Sequence, residues 1–269
     1  MTLVNALATR LADAVMAPLA MLPPFMGVLA AALVTAVAIL WLVRLTSDQT
    51  QLAAVKRQIQ ADLFEMRLYN DDLRALLRAQ WAVLVHNGRY LRLSFVPLIC
   101  TAIPLVLAVA QLQAWYGYTG VAAGAPVLVR ADLAAGVTPG LPQLDGDGVG
   151  VDGAAVYFPS LQQVAWRVVP QSAGTHVLHL RVNGSDIEKR LVAGEALARR
   201  APLRPGPSFV DQLLEPSEPP LDGPITGIRI AYPERAIDVG GLSMHWLVLF
   251  LLASFAFVLL LRKPLGVVI

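Results

Sequence analysis

Few residues in this chain have the types and spacing to do chemistry. The four histidines are scattered: His86 ends a helical run, His176 and His179 fall on opposite faces of one strand, and His245 sits at an apolar boundary. None has the spacing to a second ligand that a zinc site needs, or to a partner that a Ser-His-Asp relay needs. Cys100 is the single cysteine. It excludes an intrachain disulfide or a cysteine metal cluster and reads as a small buried hydrophobe. Asp145, Asp147 and Asp152 alternate with glycines in a way that hints at calcium, but their spacing gives no EF-hand ligand set. There is no glycine loop ending in a phosphate-binding lysine and no HExxH helix. Asn183-Gly184-Ser185 is a formal glycosylation sequon. The chain reads as no enzyme, with no cofactor and no metal.

The elements around these residues explain the scarcity. Charged residues make up 15% of the chain, against ~25% for soluble domains. Mean hydropathy is +0.59, and the net charge of +2 gives no reason to expect nucleic acid as a specific partner. Three stretches, 25–43, 95–115 and 246–261, have the apolarity to cross a bilayer core that takes ~20 residues of helix. The last is short unless 243–245 join it. The reading is an integral membrane protein.

Loop charges orient it. Residues 44–92 carry eight Lys/Arg and five Asp/Glu, and Arg262 and Lys263 follow the third stretch, whereas the N-terminal arm has only Arg10. By the positive-inside rule, 44–92 and the C-terminus are cytoplasmic, and the N-terminus and the loop 116–242 are outside. Arg44 then stands at the cytoplasmic membrane edge. In residues 2–22, Leu3, Val4, Leu7, Leu11, Val15 and Leu19 share one helical face, with Asn5, Arg10 and Asp13 off it. This is an interfacial amphipathic helix. A signal peptide is the alternative, although it would want its positive charge ahead of the apolar run.

Within 45–93, Leu52, Ile59, Met66 and Leu73 recur at seven-residue spacing, with Val55, Leu63, Leu76/Leu77 and Leu84 three or four residues later. That is a coiled-coil-like seam. A hairpin fits better than one long helix, because the chain must return to the membrane. Tyr69-Asn70-Asp71-Asp72 is its expected tip, with Asn70 or Asp71 as cap and Asn87-Gly88 as the stop of the second helix. Lys56, Arg57, Arg67, Arg74 and Arg78 make its surface basic, a candidate contact for headgroups, ribosome or nascent chain. The second span, 94–115, holds Pro97 and Pro104, with Thr101 between them and Gln111 and Gln113 near its outer end. Each proline frees a carbonyl, so the span either kinks or lines a hydrated groove. Ser254 is the polar residue in the middle of the third span, 243–262, which leads to the tail 263–269.

Beyond Tyr116 the texture becomes Gly, Pro and short alternating runs. Strands are expected at 126–130, 149–158, 164–169, 176–182, 189–192 and 225–232. Asn183-Gly184 reads as a hairpin turn after the fourth. The expectation for 116–242 is an inserted all-β sandwich of immunoglobulin-like kind. The Pro-rich 202–224 is expected to be a long loop laid on it.

Pro18–Pro24, the first span, Leu45-Thr46-Ser47-Asp48-Gln49, the hairpin, Ser94-Phe95-Val96-Pro97 with Ile103-Pro104, and Leu252-Ala253-Ser254-Phe255-Ala256-Phe257 ending Leu261-Arg262-Lys263 resemble the short archaeal YidC-like proteins. These belong to the YidC/Oxa-type insertase superfamily, which includes subunit 3 of the endoplasmic reticulum membrane protein complex. The resemblance covers about residues 15–115 and 243–267; the β-domain is an addition to it. It implies a three-helix core with a hydrophilic groove that assists membrane protein insertion, in a bacterial or archaeal inner membrane. Arg44, Thr101, Gln111 and Ser254 are the candidate groove or membrane-edge residues. A structural subunit that docks fixed membrane-complex partners through its β-domain is the second expectation.

Overall fold

A computed structural model of the 269-residue chain describes residues 2–68 and 72–267, with the backbone alone for 2–6, 8 and 75. The expected tip at Tyr69, Asn70 and Asp71, and the faces assigned to Leu3, Val4 and Asn5, lie outside the described residues. The chain divides into two compact units. One holds Met1–Val28 and Leu107–Leu249; the other holds Leu29–Val106 and Phe250–Ile269.

The helices follow from apolar runs bounded by caps. In α1 (Thr2–Leu19), Met16 is buried and Thr9 and Asp13 are half-buried, while Leu7, Leu11 and Val15 stay exposed. Thr9, Asp13 and Met16 are therefore on the side that packs, and Leu7, Leu11 and Val15 point away from the protein. Helix α2 (Pro24–Thr46) starts on a proline, whose missing N–H would be unpaired in a first turn anyway. At its other end the Thr46 and Ser47 hydroxyls donate to the Leu42 and Val43 carbonyls at 2.7 and 2.6 Å. Asp48 caps α3 (Gln49–Leu68), its Oδ1 accepting from the Thr50 and Gln51 amides at 3.1 and 3.0 Å. The Thr50 hydroxyl, then the Gln51 amide, hold its carboxyl below the usual range.

Helix α4 (Leu73–Tyr116) corrects two expectations. Its cap is Asp72, whose Oδ1 accepts from the Arg74 amide at 2.9 Å. It also runs unbroken through Asn87-Gly88, so His86 is mid-helix and the second span is no separate element. A glycine stops a helix by taking a positive φ, and Gly88 keeps helical geometry. Its cost of about 1 kcal/mol relative to alanine is small against 44 residues of continuous hydrogen bonding. The expected seam divides as well. Leu52 and Val55 are buried, Ile59, Met66 and Leu76 half-buried, whereas Leu63, Leu73, Leu77 and Leu84 are exposed. The break between α3 and α4 resets helical phase, so one heptad count does not run through both. The two helices meet at Asp62 and His86, 2.5 Å apart.

Helix α2 and the Leu76–Tyr116 part of α4 are long and apolar enough to cross a membrane. Helix α6 (Trp246–Leu261) is apolar except for Ser254 and shorter, at 16 residues.

The inserted region is a β-sheet domain. Strands β1 (Val127–Leu133), β3 (Val149–Val151), β4 (Val156–Phe158), β5 (Gln163–Pro170), β8 (Leu203–Pro205) and β9 (Ile225–Ile230) form an antiparallel sheet in the order β3-β5-β1-β9-β8, with β4 also beside β5. A second sheet, β2-β6-β7, contains β2 (Gln143–Gly146), β6 (Gly174–Val182) and β7 (Ser185–Ala193). Val129, Val164, Trp166 and Ile228 of the first and Leu178, Leu180 and Leu191 of the second share one buried cluster. Inward and outward residues alternate along β1 and β6, as a sheet with one covered face demands. Asn183 (φ 50°) and Gly184 (φ 80°) make the expected two-residue turn, with Val182 opposite Ser185.

Three expectations change. The strand expected at 149–158 is two strands, broken at Gly153 (φ 88°). Residues 202–224 are more than a loop, since they contain β8 and the short helix α5 (Phe209–Leu214), capped by Ser208. Finally, β1 lies between β5 and β9, whereas an immunoglobulin sheet keeps its first strand at an edge. A hairpin of β10 (Ala236–Val239) and β11 (Leu242–His245) leads into α6, where the Leu247 amide donates to His245 Nδ1 at 3.2 Å.

Candidate functional site

The sheet-bearing unit gathers polar side chains around two adjacent arginines. Arg199 donates from Nε to Asp13 Oδ1 of α1 at 2.8 Å and from Nη2 to Gln111 Oε1 of α4 at 2.8 Å. Its Nη1 reaches Ser217 Oγ at 3.5 Å, and its guanidinium lies 6.0 Å from the centre of the Trp115 ring. Gln111 Nε2 donates to Thr9 Oγ1 at 3.3 Å, and Thr9 donates to the Pro216 carbonyl at 3.4 Å. One cation thus ties α1, the last turns of α4 and the segment after α5. Burial pulls the Arg199 guanidinium below its ordinary value and Asp13 opposes this. An arginine starts so high that it stays charged.

Arg200 is wholly buried and is solvated by backbone instead of by an acid. Its Nη1 donates to the Tyr118 and Ala198 carbonyls, both at 3.2 Å, and Nη2 donates to those of Gly194 and Ala196 at 3.0 and 2.7 Å. Burial, then the neighbouring Arg235, pushes it down to about 10. Arg235 shares the Tyr118 carbonyl through Nε at 3.2 Å. The crowding leaves no room for a side chain at residue 120: a Cβ on Gly120 would stand 2.0 Å from the Gly194 oxygen.

A third cluster closes the free edge of β7. Lys189 Nζ, fully buried, donates to Glu218 Oε2 and to the Ala201 carbonyl at 2.6 Å. Glu218 Oε1 accepts from the Arg190 amide at 3.2 Å, Tyr232 Oη accepts from the Val192 amide at 2.9 Å, and Arg204 donates to the Glu188 carbonyl. These are the backbone groups that an edge strand would otherwise offer to another chain. Burial pulls the Lys189 ammonium down against the pull of Glu218, and pushes the Tyr232 hydroxyl up to about 12. Close by, Glu215 lines a pocket of about 250 Å³ with Tyr118, Arg130 and Arg229. Burial raises its carboxyl to about 7, with Lys189 and Arg229 opposing.

Of the four residues expected at a groove, three make hydrogen bonds. Arg44 is exposed in the last turn of α2, and its Nη1 donates to the Leu265 carbonyl at 3.4 Å. The Thr101 hydroxyl turns back on its own helix, to the Pro97 and Leu98 carbonyls at 2.9 and 3.0 Å. Gln111 belongs to the Arg199 cluster. Ser254 is buried, and its hydroxyl has no hydrogen-bond partner. No hydrogen bond joins Arg44, Thr101 and Ser254 to one another. Of the basic residues, Arg57, Arg67, Arg74 and Arg78 are exposed and Lys56 is half-buried. Arg57 folds back to the Ala53 carbonyl at 3.3 Å, and Arg67 edges a shallow apolar hollow with Leu63 and Phe64.

The acidic and histidine residues also have partners. Asp145 lies 3.2 Å from Arg181 and Asp152 3.6 Å from Arg167. The His176 ring nitrogens face the Asp147 and Ser172 carbonyls. No group of three or more His, Cys, Asp or Glu able to hold a metal ion occurs among the described residues. Sequence reasoning missed Arg199, Arg200, Lys189 and Glu218. The available signal was the Arg199-Arg200 doublet between alanines.

Fold and site define a class: a chain with two membrane-competent helices that carries a two-sheet domain stiffened by buried cations. Compared with models of known protein families, with curated proteins and with solved structures, the chain matches none.

Proposed function

We propose that this is a membrane-anchored scaffold, a non-catalytic subunit that docks fixed partners of a larger membrane complex through its β-domain. It crosses the membrane three times, by α2, the apolar part of α4 and α6, with α3 and the start of α4 as a cytoplasmic hairpin. The N-terminus and β-domain are outside and the C-terminus inside, in an inner membrane of bacterial or archaeal type. In the sheet-bearing unit the start of α2, the end of α4 and the start of α6 meet: Tyr116 packs on Gly27, and Trp246 Nε1 donates to Gln113 Oε1 at 2.8 Å. In the other unit, Arg44 at the end of α2 reaches Leu265 just after α6. These three contacts suit alternating spans.

The Arg199 cluster carries the functional reading. It uses Asp13 and Gln111 to hold an interfacial helix and a span end on the β-domain, which makes a stiff platform. The test is extraction in mild detergent followed by identification of what comes with the protein. Stoichiometric co-purification with constant membrane partners is expected, and a protein that runs alone sinks the proposal. Protease added from the outside should cut the β-domain and spare the hairpin.

One observation favours a second reading, a YidC-like insertase or chaperone. The unpartnered Ser254 hydroxyl, buried in mid-helix, is the kind of group that a substrate's polar segment would satisfy. That reading expects Ser254→Ala and Arg44→Ala to slow insertion of a small reporter protein. An unchanged rate on depletion of the protein removes it.

A further inference from the structure

Two hollows open on the outer face of the first sheet and meet at Arg130. The larger, of about 420 Å³, lies over β1, β4 and β5; the smaller, of about 250 Å³, is the one that Glu215 lines over β1 and β9. Leu128 and Arg130 line both. The strand register explains why. Val127, Val129 and Ala131 of β1 turn into the core, so Leu128, Arg130 and Asp132 turn out. Directly opposite Arg130 stand Arg229 of β9 on one side and Ala165 of β5 on the other, and Val156 of β4 is opposite Ala165. One row across the sheet thus runs from two adjacent arginines, over a short alanine, to an apolar edge.

Like charges directly opposite each other destabilise a sheet. The acids of this face do not relieve Arg130. Asp132 accepts from Gln163 at 2.7 Å and meets Arg229 at 3.4 Å, and Asp152 lies 3.6 Å from Arg167. Burial raises the Glu215 carboxyl, and what charge it carries is drawn to Lys189 and Arg229. Among the described residues, the Arg130 side chain has no hydrogen bond or ion pair. The apolar groups beside it are equally bare. Val156, Phe158 and Leu161, in the wall of the larger hollow, are 51%, 44% and 63% exposed. An unpaired guanidinium next to an apolar recess fits one ligand chemistry, a carboxylate whose neighbouring carbon carries an apolar group.

We infer that this site captures the free C-terminus of a partner polypeptide whose last residue is apolar. The inference rests on the scaffold reading above, and it names where and by what chemistry the β-domain docks. A chain terminus carries its carboxylate and its last side chain on one carbon. The guanidinium fork of Arg130 takes the two oxygens, and the recess over Ala165 takes the side chain against Val156 and Phe158. An aspartate or glutamate side chain has an unbranched stem, so it would satisfy Arg130 and leave the recess empty. A fatty acid has the same unbranched stem. The charge lost from water on binding is balanced by relief of the Arg130 and Arg229 repulsion.

The purified full chain in detergent tests this with a fluorescein-labelled hexapeptide of glycine and serine ending in leucine, made as the free acid and as the C-terminal amide. Fluorescence anisotropy should show the acid binding about tenfold more tightly than the amide, the size of a lost charge-assisted hydrogen bond. Glycine in place of the final leucine should weaken the acid by about tenfold as well. Arg130→Gln should erase the difference between acid and amide. Its melting temperature should be unchanged or raised, because the opposed arginine is gone. Arg190→Gln, exposed on the other sheet, should bind like the unaltered chain. Equal affinity for acid and amide, an equal loss in Arg190→Gln, or no binding at millimolar peptide overturns the proposal. So does displacement of the label by dodecanoate and not by unlabelled peptide, which assigns the site to a lipid carboxylate. The scaffold reading fails separately. If membrane partners co-purify with Arg130→Gln as they do with the unaltered chain, this site is wrong and the scaffold stands. If the chain purifies alone yet binds the peptide acid through Arg130, the site stands and the scaffold falls.

Discussion

Helix α4 belongs to both units, and its two ends are built on opposite principles. At its C-terminal end Gln111, Gln113 and Tyr116 sit in a packed setting, and both glutamines are hydrogen-bonded to side chains of other elements. In its first half, Leu77, Leu84 and Leu91 are bare, while Ala79 is buried and Leu76 half-buried. Burial in the sheet-bearing unit is specified by polar groups that must find partners; in the helical unit it is left to the surroundings. Unpaired polar groups exclude alternatives far more sharply than apolar surface does, since each costs ~1–3 kcal/mol when buried alone. The sheet-bearing unit should accordingly respond to single polar substitutions, and the helical unit should not.

The severest break is expected at Glu218. Glu218→Ala leaves the Lys189 ammonium buried without its carboxylate, which typically costs about 3–5 kcal/mol. Thermal unfolding of the purified chain should show a large drop in the β-domain transition. The paired change Lys189→Met with Glu218→Leu should recover most of the loss, because apolar residues of similar volume need no partner. If both forms melt equally early, shape rather than charge holds the β7 edge.

A pH titration comes next in size. Glu215 has its carboxyl raised to about 7 from an ordinary 4.5. The folded state therefore holds a proton between these values that the unfolded chain has released. Its stabilisation is complete below about 4.5 and is lost as pH rises through about 7. The difference is at most about 3 kcal/mol, and smaller to the extent that solvent reaches the group. Glu215→Gln should flatten this part of the stability profile and stabilise the domain above pH 7; an unchanged slope would place the titrating group elsewhere.

A smaller effect tests how closely the sheet-bearing unit is packed. A Cβ on Gly27 would lie 2.2 Å from Tyr116 Oη, a hydroxyl that has no hydrogen-bond partner. Gly27→Ala should cost about 2 kcal/mol through overpacking. Tyr116→Phe should be neutral or stabilising by about 1 kcal/mol, because it removes a buried unpaired group. The double variant should be more stable than the sum of the two single effects. Strict additivity would mean that the ring and the glycine do not touch.

How much of this was legible in the sequence depended on range. Apolar runs found α2, α4 and α6, and alternation found the cores of β1, β5, β6 and β9, because both signals sit within a few residues. The Asn183-Gly184 turn was legible for the same reason: only such residues accept φ > 0 at both positions. The stop at Asn87-Gly88 was misread because composition does not say whether a glycine will leave helical φ. The clusters were illegible: Arg199 meets Asp13 across 186 residues, and nothing local marks that pairing. Gln111 was singled out as a polar residue in an apolar stretch, and the distant arginine that it meets was not legible there. Short strands such as β8 and β2 carry too few residues for a period to show.

The smallest expected effect uses the same substitution on a second glycine. Gly88 is mid-helix in the other unit, and nothing lies within 4 Å of where its Cβ would stand. Gly88→Ala should therefore gain about 0.5–1 kcal/mol from reduced backbone freedom in the unfolded chain, the reverse of the sign at Gly27. Helix content against temperature measures it. Opposite signs at the two glycines would locate the difference between the units in packing, with helix propensity held constant. A loss at Gly88 would mean that atoms from outside the chain press on that turn.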